Sequence, residues 1–412
     1  MLERIVYLFL TTVVFGTMKI NKYEIYKNHK NEDILFDSDN LSLFKLTRGE
    51  ISRLKFIEKD KLFKNNKKIT FNKKVNPRVK GIRIIVTENC NLRCRDCFVL
   101  NDVKNNKAMS INTAEKVTKK ILKYAEKESI FYHFFGGEPL MNLSAIEKIV
   151  NQLNHYYKIK KIKRPFYGIT TNATLINNKT MSFFKKNKFS VGVSVDGPPK
   201  INNKYRYYKD GRGTYNDVLK NYKILLKNKI NSHILITPHK EVNNLSKIIT
   251  SLLKDFRTQK ITINTPLSYN DLHWNIDGKE YLKSLISVYR ITKKKKVEID
   301  TALSSIIIRL NTRSKRLSPC MFNDKNVFIS VDPNGKLYSC PQKWNNHNLL
   351  IKNKVNVYAK NQIICNNCDA RWFCGGTCPA YQVISNKNID IEKCNFMKNS
   401  IKEFVKNMNL FI

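Results

Sequence analysis

The sequence predicts an α/β protein whose core is a parallel β-sheet with helical crossovers. Apolar, β-branched segments alternate with segments of helical periodicity, and a cysteine-rich loop follows the first apolar segment. The strand-like segments begin near Ile82, Ile130, Phe166, Val191, Ile234 and Ile261. The helix-like segments cover residues 114–126, 143–153, 178–185, 216–226 and 245–253. Six such units indicate parallel strands joined by helices, although the periodicity alone does not separate an open sheet from a barrel.

The loop after the first predicted strand carries Cys90, Cys94 and Cys97, separated by three and then two residues. Three thiolates on one tight loop can bind three irons of a cubane cluster and leave the fourth iron open to a ligand. A zinc site is the alternative. Structural zinc prefers four closed ligands or a nearby histidine, and residues 90–97 contain neither. The loop therefore favours an iron–sulfur cluster.

This loop resembles that of the radical S-adenosylmethionine (radical SAM) enzymes. The resemblance implies a partial (β/α)6 TIM-like barrel, a 4Fe–4S cluster on the three cysteines, and S-adenosylmethionine (SAM) chelated to the open iron. In that family one electron from the reduced cluster cleaves SAM, and the resulting 5′-deoxyadenosyl radical takes a hydrogen atom from the substrate. One departure is Asp96, which replaces the usual aromatic residue before the third cysteine; Phe98 is the candidate replacement beside the adenine.

Motifs that resemble SAM-binding segments follow the next two predicted strands, at the edge where a barrel places its chemistry. Gly136, Gly137 and Glu138 follow the second strand. Two glycines allow a close approach of backbone to a ligand, and Glu138 is expected to accept a hydrogen bond from the SAM ammonium group. Asn172 follows the third strand, in a segment that resembles the family's contact with the ribose and sulfonium; a helix cap is the alternative.

The segment after the fourth predicted strand contains Ser194 and Asp196, followed by Arg206 and Arg212. It resembles the corresponding segment of sulfatase maturases and related peptide maturases. From this resemblance we predict Asp196 as a cofactor-binding residue and Ser194 and Arg206 as ligands of the methionine carboxylate. Arg212 is the alternative arginine, because spacing alone does not decide which of the two reaches the site. No catalytic residue beyond the cofactor ligands is predicted.

The other seven cysteines lie in the C-terminal third. Segments 327–331 and 336–339 flank turn residues and predict a hairpin that places Cys340 at a strand end. The arrangement resembles the SPASM domain, which implies two auxiliary 4Fe–4S clusters and three clusters in all. The implied ligands are Cys320, Cys340 and Cys378 for the first cluster, and Cys365, Cys368, Cys374 and Cys394 for the second.

The first of these two sets provides only three thiolates, because residues 321–339 contain no further cysteine. One iron would then bind water, another side chain or the substrate. A zinc ribbon or knuckle is the alternative interpretation of the C-terminal cysteines, since Cys-x2-Cys pairs also suit zinc.

Four segments follow from these patterns. Residues 1–18 form an apolar extension, which we interpret as upstream of the true start at Met18; a signal segment or a buried N-terminal segment are the alternatives. Residues 19–78 contain a candidate leader-peptide recognition domain followed by a basic linker. The predicted domain has strands at 23–26, 34–36 and 41–46 and a helix at 48–58. An N-terminal extension of the barrel is the alternative. Residues 79–300 form the radical SAM core, and residues 301–412 form the SPASM domain.

The chain carries 75 Lys and Arg against 33 Asp and Glu, a net charge of +42. The lysines extend from Lys19 to Lys406 rather than along one stripe, which favours a dispersed basic composition over a nucleic-acid interface. Cysteines in metal-ligand spacings indicate a reducing compartment. We expect a cytoplasmic enzyme without a stable membrane anchor or a nucleic-acid partner, reduced by a flavodoxin or ferredoxin.

The first functional hypothesis is a peptide maturase that uses the adenosyl radical to form a thioether or carbon–carbon crosslink in a ribosomally made peptide. The second is a sulfatase maturase that oxidises Cys or Ser to formylglycine. In that group an acidic base follows the hairpin cysteine, whereas Pro341 and Gln342 follow Cys340 here. The third is a zinc-bearing, basic protein that binds nucleic acid.

Overall fold

The computed structural model describes residues 17–20, 23–28, 30–38, 41–47, 51, 78–97, 99, 106–125, 129–239, 244–265, 277–312, 314–316, 326–340, 344, 363–365, 368–387 and 389–411. Within these residues no helix is long and apolar enough to cross a membrane.

A four-stranded antiparallel sheet lies at the N-terminal end of the described chain. Its strands pair in sequence order: β1 (Thr17–Ile20), β2 (Tyr23–Lys27), β3 (Asp33–Asp37) and β4 (Ser42–Leu46). The strands predicted at 23–26, 34–36 and 41–46 are confirmed. The predicted helix at 48–58 lies outside the described residues, apart from Ile51.

A nine-stranded, mostly parallel sheet forms the core, and it is a partial TIM-like barrel. Its order is β11-β10-β9-β8-β7-β6-β5-β12-β13, and only the β12–β13 pair is antiparallel. The strands are β5 (Arg78–Thr87), β6 (Phe131–Gly136), β7 (Phe166–Thr171), β8 (Ser190–Ser194), β9 (Asn231–Ile236), β10 (Lys260–Ile263), β11 (Glu298–Asp300), β12 (Asn326–Val331) and β13 (Leu337–Tyr338). All six predicted core strands are present as β5–β10.

The helices of the described chain connect strands of this sheet, except for the last four, which follow its final strand. They are α1 (Ile111–Leu122), α2 (Leu143–Ile159), α3 (Asn178–Asn187), α4 (Pro199–Tyr205), α5 (Tyr215–Lys227), α6 (Leu245–Phe256), α7 (Gly278–Lys295), α8 (Ser304–Thr312), α9 (Arg371–Cys374), α10 (Pro379–Ser385), α11 (Ile391–Lys406) and α12 (Met408–Phe411). All five predicted helices are present, with ends that differ by a few residues.

The side chains of β5 alternate between two environments. Ile82, Ile84 and Val86 join the large apolar core under the helices, whereas Arg83 faces the interior cavity of the barrel. This period of two puts polar side chains inside the barrel. The carboxyl ends of β5–β9 meet at one edge, so the loops that follow these strands converge there.

The predicted hairpin at 327–331 and 336–339 is present as β12 and β13. The structure adds that β12 pairs in parallel with β5, so this hairpin extends the core sheet. The N-terminal sheet also packs on C-terminal elements: Phe36 stacks on Phe373 of α9 with ring centroids 5.8 Å apart. Tyr26, Ile34 and Phe36 belong to the same apolar cluster as the barrel core.

Candidate active site

A cavity of about 130 Å³ lies at the carboxyl edge of the sheet. It collects residues from the cysteine loop and from the ends of β6, β7, β8 and β9, as expected for the reactive edge of a barrel. The lining residues that carry the argument below are Cys90, Cys94, Asp96, Cys97, Gly136, Gly137, Thr171, Asn172, Ser194, Asp196, Tyr205, Arg206, Thr237 and His239.

The cysteine loop is held in place by backbone hydrogen bonds to the segment after α4. The amide of Arg93 donates to the carbonyl of Tyr207 at 2.8 Å, and the amide of Arg95 donates to the carbonyl of Tyr205 at 2.9 Å. The amide of Leu92 approaches Cys90 Sγ at 3.4 Å. These contacts bring all three thiols to one cavity wall without any disulfide.

The thiols lie in a poorly hydrated environment. Burial raises the pKa of Cys90 to about 12. Burial also raises the pKa of Cys94 to about 11, against the opposing effect of the Arg206 guanidinium. Iron binds the thiolate, so loading this loop requires the loss of these protons.

The donor set fits a cubane. No group of three His, Cys, Asp or Glu side chains among the described residues is arranged for a single metal ion. A cubane cluster instead binds each thiolate through a different iron, and the three thiols of this loop meet that requirement.

Gly136 and Gly137 line the cavity, and their close backbone contact is with the cysteine loop. A Cβ on Gly137 would lie 2.2 Å from the carbonyl oxygen of Asn89, and one on Gly136 would lie 2.0 Å from that of Thr87. The amide of Gly137 donates to the Thr87 carbonyl at 2.9 Å. The missing side chains therefore allow this segment to support the backbone immediately before Cys90.

Glu138 is completely buried, and its carboxylate accepts three hydrogen bonds from the protein. Oε1 accepts from the Leu140 amide at 3.0 Å and from Thr171 Oγ1 at 2.7 Å, and Oε2 accepts from the Asn172 amide at 2.7 Å. Burial raises the pKa of Glu138 to about 7 despite these donors. A carboxylate offers about four acceptor positions, and these donors occupy three of them. Glu138 lies behind the cavity wall rather than among its lining residues, so its contact with the SAM ammonium stays a prediction.

Asn172 bridges the end of β7 to the cysteine loop. Its Nδ2 donates to Asn91 Oδ1 at 2.9 Å and lies 3.9 Å from Cys90 Sγ. Its Oδ1 accepts from the amide and the hydroxyl of Thr174. The structure thus places Asn172 beside the first cysteine.

Asp196 and Arg206 form a buried ion pair in the cavity. Arg206 Nε donates to Oδ2 at 2.7 Å, and Nη2 donates to Oδ1 at 3.1 Å. Arg206 and His239 lower the pKa of Asp196 strongly, although burial opposes them. Ser194 lines the same cavity. The alternative Arg212 is instead exposed and pairs with Asp210 at 2.8 Å, so only Arg206 of the two predicted arginines lines the cavity.

Two residues missed by sequence reasoning, His239 and Tyr205, complete this wall. Their rings are parallel within 5° with centroids 3.6 Å apart. His239 contacts Asp96 and Asp196 through its two ring nitrogens. A signal was available, because His239 follows the end of β9 at the reactive edge. Phe98, the predicted replacement ring, lies outside the described residues.

The C-terminal cysteines gather in two places. Burial raises the pKa of Cys394 to about 11, with further contributions from Cys374, Cys368 and Cys365, so the four thiols of the predicted second set are neighbours. Cys340 and Cys378 both pack on the small cluster of Ala380 and Tyr381. Cys320, the third member of the predicted first set, lies outside the described residues.

Comparison with known proteins agrees with this geometry. Residues 84–248 match the Radical SAM superfamily. The chain is 28% identical over 365 residues to the cysteine-type anaerobic sulfatase-maturating enzyme of Clostridium novyi, covering 77% of this chain and 94% of that protein. It is 27% identical over 337 residues to the radical SAM cyclopropyl synthase TigE of Paramaledivibacter caminithermalis, covering 73% of this chain and 68% of that protein.

Solved structures show the same fold. The structure of native anSMEcpe with bound AdoMet aligns with a TM-score of 0.61 at 20% identity and covers 80% of this chain and 98% of that one. The same protein with AdoMet and the Cp18Cys peptide aligns with a TM-score of 0.59 at 19% identity, with the same coverage.

These matches favour an enzyme over a zinc-bearing protein that binds nucleic acid. The three cysteines line one cavity with the strand-end motifs, inside the matched residues. SAM and a 4Fe–4S cluster are the cofactors that this superfamily uses. Residues 84–248 are therefore a Radical SAM domain, and the chain is an enzyme homologous to the anaerobic sulfatase-maturating enzymes.

Proposed function

We propose that this enzyme modifies a ribosomally made peptide and forms a thioether or carbon–carbon crosslink. The observation that carries the proposal is the single cavity shared by three cysteine thiols and the Asp196–Arg206 pair. It adjoins a polar cavity of about 330 Å³ inside the barrel, since Phe135, Thr170 and Ser194 line both. A relative of the same fold binds AdoMet and a peptide together.

Different residues of the cavity would bind the cluster and SAM. Cys90, Cys94 and Cys97 would hold the cluster, which when bound supplies the electron that cleaves SAM. Arg206 would bind the SAM carboxylate together with Ser194. A guanidinium has five N–H groups in a rigid fork, and Asp196 accepts from two of them. Asp196 therefore fixes the fork while other N–H groups face the cavity.

We also propose three 4Fe–4S clusters, with the two auxiliary clusters in a SPASM domain. The mutual proximity of Cys365, Cys368, Cys374 and Cys394 supports the second auxiliary set. The shared packing of Cys340 and Cys378 supports the first. A one-electron donor such as a flavodoxin or ferredoxin would reduce the enzyme.

Oxidation of Cys or Ser to formylglycine is the second candidate. It is favoured by the similarity to the Clostridium novyi enzyme, which spans almost all of that protein. The absence of an acidic residue directly after Cys340 argues for the crosslinking reaction instead.

The N-terminal sheet is a candidate leader-peptide site. In the described part of the chain, β1 and β4 each pair on one side only, and an exposed strand edge can accept a further strand. Because this sheet packs into the main apolar cluster, the leader role is best tested on the peptide. A precursor without its leader should be modified much more slowly than the full precursor, and equal rates would reject the role.

Mass spectrometry of co-expressed candidate peptides tests the function. Candidates are the products of short open reading frames beside the gene. A loss of 2 Da per crosslink, about two hydrogens, with fragment ions that locate a linkage supports the proposal. Formylglycine formation is supported instead by the appearance of an aldehyde, either with loss of the sulfur of a cysteine or with loss of two hydrogens from a serine.

A further inference from the structure

A continuous chain of hydrogen bonds connects the cysteine loop to Arg206. Asp96 Oδ2 lies 2.9 Å from His239 Nδ1, and His239 Nε2 lies 3.0 Å from Asp196 Oδ2. Asp196 in turn accepts both bonds from Arg206. Asp96 lies between Cys94 and Cys97 in sequence, so the chain begins on the cluster-binding loop itself.

The chemistry of these groups fixes their orientation. Each ring nitrogen of His239 faces one carboxylate oxygen, and an ionised carboxylate only accepts hydrogen bonds, so Nε2 is the donor in the hydrogen bond to Asp196. The ring plane is fixed independently by the parallel stack on Tyr205. The stack on Tyr205 and the contacts of both ring nitrogens together hold the His239 ring in the orientation in which it donates to Asp196.

Asp196 receives donors from three directions. Besides Arg206 and His239, the Thr237 amide donates to Oδ1 at 3.0 Å. Four hydrogen bonds fill the acceptor positions of a carboxylate. The side chain of Asp196 is 1% exposed, so removal of one donor would leave a buried acceptor unsatisfied. The Asp196 carboxylate would then hold the Arg206 guanidinium less firmly in one orientation.

We propose that Asp96 and His239 are positioning residues for SAM. They hold the Asp196–Arg206 pair in the orientation in which Arg206 meets the SAM carboxylate, and they tie that orientation to the cysteine loop. This inference rests on the proposed role of Arg206. Asp96 thus has a role of its own at the position where the superfamily usually has an aromatic residue.

The first test measures SAM binding to the reconstituted holoenzyme without peptide, so that failure of the peptide proposal leaves it intact. Asp96→Ala and His239→Phe, which keeps the stack on Tyr205, should each raise the Kd for SAM about tenfold. The double variant should be no weaker than the weaker single variant, because the two residues act as a unit. Additive effects, or parental Kd values, would overturn the proposal.

Conservative rescue separates positioning from general damage. In Asp96→Asn the side-chain amide can donate to His239 Nδ1 in the tautomer that carries its hydrogen on Nε2, and Nε2 then still donates to Asp196. This variant should bind SAM within about twofold of the parent and show the parental SAM-induced change in the paramagnetic resonance of the reduced cluster. A Kd as high as that of Asp96→Ala would overturn the proposal.

Asp210→Ala is the matched control. Asp210 likewise contacts one basic side chain, that of Arg212, and is similarly exposed, at 54% against 49% for Asp96. It does not line the cavity, so its Kd for SAM should be parental. Iron content should be parental in every variant, and a common loss of iron in Asp96→Asn and His239→Phe would assign the pair to cluster retention instead.

Discussion

Glu138 and Asn172 join the ends of two neighbouring strands: Glu138 Oε2 accepts a hydrogen bond from the Asn172 amide at 2.7 Å. Asn172 Nδ2 in turn donates a hydrogen bond to Asn91 Oδ1 in the cysteine loop at 2.9 Å. A completely buried carboxylate thus supports the loop that would hold the cluster. Glu138 therefore has a structural role in addition to the predicted contact with SAM.

Glu138→Gln should both destabilise the protein and weaken SAM binding. In one orientation of the Gln amide its nitrogen faces the Asn172 amide, and in the other it faces the Leu140 amide and the Thr171 hydroxyl. Either orientation opposes two donors and leaves a buried donor unsatisfied, at a cost of about 1–3 kcal/mol. Loss of the ionic contact with the SAM ammonium should weaken SAM binding by about 1.5–3 kcal/mol. Urea unfolding and SAM titration measure the two effects separately, and lower stability with unchanged affinity would leave Glu138 purely structural.

Glu138 also predicts a pH dependence of stability. Burial raises its pKa from 4.5 to about 7, so between these values the unfolded state has lost a proton that the folded state keeps. Its contribution to stability should therefore fall as the pH rises through this window and stay constant above it. Urea unfolding of the apo-protein at pH 5 to 8 should show the free energy of unfolding falling with pH until about pH 7. The Glu138→Gln variant should lack this contribution to the pH dependence.

Gly137→Ala should disturb the cysteine loop. The new Cβ would meet the carbonyl oxygens of Asn89 and Glu88 at 2.2 and 2.5 Å, and backbone must move because neither atom belongs to a flexible side chain. We expect a loss of about 1–3 kcal/mol of stability and a lower iron content after reconstitution. Gly211→Ala is the control, since its φ of +85° adds backbone strain but no atom lies within 4 Å; it should keep its iron.

The sequence was sufficient for the elements whose signal is local. The six core strands and the cysteine loop were predictable because apolar runs and cysteine spacing are read directly from the chain. Helix α7 was missed although its buried residues, Tyr281, Leu285 and Val288 among them, repeat at helical spacing, so the signal for this helix was present in the sequence.

Contacts between distant segments were not predictable. The Asp96–His239 pair joins residues 143 positions apart, and the pairing of β12 with β5 crosses most of the chain. Neither leaves a local pattern, since each depends on how the barrel closes. The same holds for two of the three donors to Glu138, the Thr171 hydroxyl and the Asn172 amide, which come from the end of the neighbouring strand.

Replacement of Cys90, Cys94 and Cys97 by alanine should abolish radical generation. These are the three thiols of the loop, and burial raises the pKa of Cys90 and of Cys94, so a bound metal is needed to hold these two as thiolates at neutral pH. With dithionite and SAM, formation of 5′-deoxyadenosine should fall to background. Continued formation at the parental rate would contradict the assignment of the loop.

Phe36→Ala should show that the N-terminal sheet is part of the folded core. Phe36 is 3% exposed and stacks on Phe373, which lies between Cys368 and Cys374 in sequence. Truncation should cost about 3–5 kcal/mol of stability and lower the total iron content of the reconstituted protein. Phe166→Ala is the matched control: Phe166 is 56% exposed, and its loss should change stability by less than about 0.5 kcal/mol. Equal stability of the two variants would mean that the sheet is a separate unit, and deletion of residues 23–59 would then leave SAM cleavage intact.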